Sequence, residues 1–175
     1  MKRTALLLTG VLLLCAGSLL AHDLFLRPDS FFLRPGEAVR VRVLNGTFTA
    51  SEGAVARERL RDLSLAGPAG RTRLDTAGWQ ARGDTSMLSV RPAAAGTWVL
   101  GASLLPRTIR LEAADFNAYL EHDGIPDVLE ARRRSGQLGL PARERYAKHV
   151  KSLLQVGAVR SGGYDVALGY PAELV

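Results

Sequence analysis

The stretch Ala38-Val-Arg-Val-Arg-Val43 decides how this chain is read. Val39, Val41 and Val43 fall on one side of an extended backbone and Arg40 and Arg42 on the other. That is the period-2 alternation of a strand with one buried and one wet face. Arg34-Pro-Gly-Glu37 before it is a turn, with Pro presetting φ and Gly supplying a positive φ, and Asn45-Gly46 closes the strand.

Short segments of the same kind continue along the chain. Asp62–Leu65 turns through Gly67-Pro-Ala-Gly70 into Arg71–Leu74, and Trp79–Arg82, Met87–Val90, Thr97–Ser103 and Thr108–Leu111 follow. Gly83-Asp84 and Ala95-Gly96 punctuate them. Many short strands at this spacing predict a mainly β chain, an immunoglobulin-like β-sandwich over residues 22–112. The pattern then changes to an inserted or appended helical segment of two to three helices over residues 113–157. Phe116, Tyr119 and Leu120 have helical spacing, with Asp115 as cap and Gly124 as stop. Pro126 opens a second helix with Val128, Leu129 and Ala131 inward, broken at Gly136 and Gly139. Pro141 opens a third, Ala142 to about Val156, in which Tyr146, Val150, Leu153 and Leu154 form one apolar stripe. Strand-like residues return at Tyr164–Leu168, within residues 158–175.

The first residues are not part of this fold. Lys2 and Arg3 precede an apolar run, Ala5–Cys15, and then small residues to Ala21, the three regions of a secretory signal peptide over residues 1–21. Taken together, the 17 residues Ala5–Ala21 are at the lower length limit for a membrane-spanning helix, and membrane contact is expected only through this segment before cleavage. Leu14 before Cys15 argues against lipid attachment there. Cys15 is the one cysteine of the chain, so cleavage leaves a periplasmic or secreted protein without disulfide, thiolate nucleophile or cysteine–zinc site. Cleavage also removes two of the charges behind the formal +6. An exported chain meets no cytosolic nucleic acid, and the basic excess reads as solubility or attraction to anionic envelope surfaces.

No catalytic constellation is present. There is no Gly-x-Ser-x-Gly elbow, no phosphate loop and no dinucleotide fingerprint. His122-Asp123 repeats the His22-Asp23 dipeptide, but three histidines in all are too few for a metal phosphohydrolase of the HD type. The run Arg132-Arg-Arg134 with Arg143, Arg145, Lys148 and Lys151 reads as a solvated helical face. Metal chemistry is the reading left for the histidines. If the signal is cut after Ala21, His22 offers an α-amine and an imidazole to one ion, a pair suited to Ni(II), Co(II) or Cu(II). Asp23 adds an oxygen, and His149 or His122 would complete the set. Ala16-Gly-Ser18 fits the small-residue rule better than Leu19-Leu-Ala21, so a cut after Ser18 stands open beside the cut after Ala21.

Six segments occur in order: AHDLFLRP, LRPGEAVRVRVLNG, SMLSVRPAAAGTWVLG, FNAYLEHDGI, RERYAKHVKSLLQVG and LGYPAELV. Together they resemble a family of exported proteins catalogued as a domain of unknown function and linked to nickel or cobalt uptake. The resemblance implies a non-enzymatic periplasmic metal-binding or metal-handling accessory, with Ni(II) or Co(II) ahead of Cu(II) and a membrane metal transporter as partner. It also favours the cut after Ala21, and it implies a second β-domain beyond LGYPAELV that is not in this sequence. The competing reading is a structural or adhesive envelope module that binds a protein or polysaccharide.

Overall fold

The computed structural model describes residues 23–174. The expected signal segment 1–21, His22 and Val175 lie outside the described residues. The β unit spans residues 23–111 and 142–174, and the helical unit spans 112–141.

Two sheets pack in the β unit as a sandwich. The first has strand order β1 (Asp23–Pro28), β3 (Val39–Gly46), β7 (Thr85–Val90), β6 (Gln80–Arg82). The second has the order β2 (Phe32–Leu33), β11 (His149–Val156), β8 (Gly96–Leu104), β4 (Leu60–Gly67), β5 (Gly70–Arg73). Every pairing is antiparallel except β2 with β11. A separate ribbon joins β9 (Arg107–Leu111) to β10 (Ala142–Tyr146), so the chain leaves the β unit at Leu111 and re-enters opposite it at Ala142.

The alternation in β3 sets the first sheet. Val41 and Val43 are fully buried and Val39 nearly so, facing Leu63, Leu65, Leu100, Leu154 and Val156 of the second sheet in one core. Each such side chain contributes roughly 1.5–3 kcal/mol by leaving water. On the other face Arg40 and Arg42 share Asp29, at 2.7 and 3.3 Å. β8 is the central strand of its sheet and is buried on both faces, which suits its nearly unbroken apolar sequence Gly96-Thr-Trp-Val-Leu-Gly-Ala-Ser-Leu104.

The helical unit contains α1 (Ala113–His122) and α2 (Pro126–Arg134). Gly124 and Gly136 take positive φ where the helices stop. Asp115 stands in the first turn of α1, while the cap position is Glu112. Arg132, expected on a wet face, is buried. Its Nε donates to Asn117 Oδ1 at 3.0 Å, its Nη2 donates to the carbonyls of Gln137 and Leu140, and its guanidinium lies 4.9 Å from the Phe116 ring centre.

Two further sequence expectations are corrected. Residues 142–156 are not a third helix but strands β10 and β11, so the helical segment ends well before residue 157. Along β11, Ser152, Leu154 and Val156 are buried in alternation while Leu153 is about half exposed. The stripe counted at helical spacing was a coincidence of short apolar runs, and an eight-residue ladder with β8 overrides it. Residues 164–168 form no strand. Val166 and Leu168 do pack inward, against Val99 and Ala66, but in an irregular segment held by side chains.

Candidate functional site

Register across the second sheet builds the site. On β4, β8 and β11 the core-facing residues Leu63, Leu65, Leu100, Ala102 and Leu154 alternate with residues of the outer face. There Asp62, Ser103 and His149 form one row across the three strands, and Ser64, Gly101 and Lys151 form the next.

The C-terminal segment, residues 166–174, covers these rows. The Tyr170 ring stacks on His149 with centroids 5.6 Å apart. Gly101 makes this approach possible: a Cβ there would collide with Leu168 Cδ1 and meet the Tyr170 hydroxyl at 2.8 Å. The Tyr170 hydroxyl donates to Asp62 Oδ2 at 2.7 Å, and Ser64 Oγ and Arg71 Nη2 donate to the same oxygen at 2.8 Å each. Burial pushes the Asp62 carboxyl up, but the Tyr170, Ser64 and Arg71 donors outweigh it and hold Asp62 below the ordinary carboxylate value. Burial, then the bond to Asp62, push the Tyr170 phenol above its usual range.

Lys151 and Glu173 fasten the segment. Lys151 Nζ lies 2.6 Å from Glu173 Oε2 and donates to the carbonyls of Val166 and Leu174. The Glu173 carboxylate also accepts the backbone N–H groups of Leu168, Gly169 and Tyr170 at 2.9, 2.7 and 3.1 Å. The Lys151 bond first, and then these amides, bring its pKa down to about 2.

Beside this fastening lies a cleft of about 520 Å³, bounded by the starts of β1 and β11 and by the C-terminal segment. Asp23, Phe25, Lys148, His149, Tyr170 and Glu173 stand in its wall. His149 Nδ1 is 2.9 Å from Ser103 Oγ. When Nδ1 donates in that bond, Nε2 carries the ring's lone pair. Lys148 Nζ donates to Asn45 Oδ1 at 2.8 Å, and burial together with the Arg59 charge lowers its pKa against the pull of Asp23.

A family model described as a domain of unknown function, DUF4198, matches residues 19–175. The chain belongs to the DUF4198 family. No curated protein and no solved structure matches the sequence. The DUF4198 description names no function. Of the expected metal ligands, the fold brings Asp23 and His149 to one cleft. His22 precedes Asp23 in the chain and is outside the described residues. His122 ends α1 in the helical unit, with its Nδ1 3.1 Å from Asp123 Oδ1. Among the described residues no three His, Cys, Asp or Glu side chains gather as a metal-binding group, and no helix is long and apolar enough to cross a membrane.

Sequence reasoning passed over Asp62, Arg71, Tyr170 and Glu173. One local signal pointed toward them: Gly101 in the middle of an apolar strand, a position that in a sheet marks close approach by another segment. What approaches it, and from where, is set by long-range pairing.

Proposed function

We propose that this protein is an exported metal-handling protein that takes Ni(II) or Co(II) at the cleft beside β1 and β11. The observation that supports the reading is that Asp23 and His149 stand in the wall of one cleft. His149 Nε2, the Asp23 carboxylate, and the imidazole and α-amine of a mature chain beginning at His22 form a nitrogen-rich set of the kind these ions prefer. Asp23 and His149 alone do not complete a site, so the reading depends on the cut after Ala21.

The rest of the cleft fits this use in definite ways. Ser103 can orient the His149 ring from behind, as an outer partner does for a ligating imidazole. The charge of Lys151 is balanced by Glu173. A binding protein of this kind would hand its ion to a membrane transporter.

The test is titration calorimetry of tag-free exported protein, its first residue established by intact mass. Ni(II) and Co(II) should bind with proton release, and H22A and H149Q should each weaken binding at least about tenfold, the effect of losing one good ligand. Absence of heat, or affinity indifferent to both substitutions, would sink the metal reading. Binding to envelope material that weakens with salt and ignores chelators would establish the adhesive reading in its place.

A further inference from the structure

A second pocket, of about 210 Å³, opens on the other side of Lys148. It is lined by Arg59, Arg107, Tyr146, Lys148, Asn45 and the chain at Ala54–Ala56. Its cations arrive from separate elements. Arg59 closes a single 3-10 turn before β4, Arg107 begins β9, and Lys148 stands just ahead of β11. Arg107 pairs directly with Tyr146 across the ribbon, and Lys148 Nζ lies 5.9 Å from the Tyr146 ring centre.

Several cations elsewhere in the β unit meet a carboxylate. Arg40 and Arg42 share Asp29, Arg71 binds Asp62, and Lys151 binds Glu173. Among the described residues no carboxylate lines this pocket. Asp23 acts on Lys148 from the neighbouring cleft, and Glu144 stands two residues before Tyr146 on β10; neither is in the pocket wall. Arg59 uses Nη2 to reach the Leu105 carbonyl at 2.9 Å, while its Nε is buried and has no partner among the described groups. Arg59, Arg107 and Lys148 bring positive charge to one wall, and an oxyanion entering there meets charge-assisted donors.

We propose that this pocket binds a small oxyanion, a phosphate or carboxylate group, through Arg59 and Arg107, with Lys148, Asn45 and Tyr146 setting its rim. Arg supplies planar paired donors for such groups, and the volume admits one small dianion and not a polymer. Oxyanion binding here requires no metal in the cleft, although Lys148 borders both cavities.

Inorganic phosphate and malonate, titrated separately into full-length exported protein at fixed ionic strength and followed by amide NMR, test this. Shifts should localise to Asn45, Ala54–Ala56, Arg59, Arg107 and Tyr146, and the tighter of the two probes identifies the preferred group. R59Q and R107Q should each weaken binding about tenfold, the loss of one charge-assisted contact. R82Q, which removes the same charge from β6 of the other sheet, should leave it unchanged. If R59Q perturbs folding, R107Q at its exposed position decides. No localised shift, or equal weakening by R82Q, would overturn the proposal.

Discussion

Lys148 and Lys151 are three residues apart and belong to opposite electrostatic regimes. Lys151 is almost enclosed, with 14% of its side chain exposed, and is met by a carboxylate and two carbonyls. Lys148 donates to Asn45 Oδ1, attracted by the Asp23 charge and repelled by that of Arg59. The first arrangement is a completed fastening that holds residues 166–174 on the sheet. The second leaves positive charge concentrated at a pocket. The contrast teaches that a basic run is not one feature: Arg132, Lys148 and Lys151 lie within one stretch of sequence, yet one organises the helical unit, one borders two cavities and one anchors the C-terminal segment.

Breaking the fastening should have the largest effect. In G101V the new side chain occupies the space of Leu168 and Tyr170, and since both the strand and the segment are fixed, the expected loss is about 3 kcal/mol, the upper end for overpacking. Urea unfolding gives the number, and hydrogen exchange at residues 166–170 should rise most. A value within error of the unsubstituted protein would mean that the segment is not held where the structure puts it.

Acid should loosen the same fastening without touching the other region. The folded pKa of Glu173, about 2, lies below its ordinary 4.5. Its contribution is therefore fully present above about pH 4.5 and is lost as pH falls from there through about 2. The amide signals of Leu168, Gly169 and Tyr170 should titrate together over that range, and E173Q should abolish the titration. A shared midpoint near 4.5 would show that Lys151 and the three amides do not act on Glu173 as a unit.

The smallest effect sharpens the other side of the comparison. K148M removes a partly buried cation that Arg59 repels, and with it the bond to Asn45 and the attraction of Asp23. The opposing effects should leave the unfolding free energy within about 0.5 kcal/mol, as at sites without a completed network. A loss as large as that of G101V would make Lys148 a structural anchor like Lys151.

The two lysines also mark how far the sequence could be read. Alternation in Ala38–Val43 is a local property, and it located β3 and its buried face without knowledge of any partner. Gly124, Pro126 and Gly136 likewise bounded the helices, because φ restrictions act within a residue or two. His149–Val156 was misread because its apolar residues satisfy both a helical and a strand count, and the arbiter is β8, about fifty positions earlier. Asp23 and His149 were recognisable as candidate ligands by residue type. That they share a cleft was not recognisable, since it depends on which strands become neighbours.

By itself, the sequence determined the β character of the chain, the turns, the helix ends and the scarcity of metal-binding side chains. All of these follow from side-chain chemistry and backbone restrictions that operate over a few residues. The tertiary structure alone decided the row Asp62–Ser103–His149, the seating of Tyr170 over Gly101, and the separation of Lys148 from Lys151 into different surroundings. Those are consequences of strand register, which long-range hydrogen bonding and core burial select together.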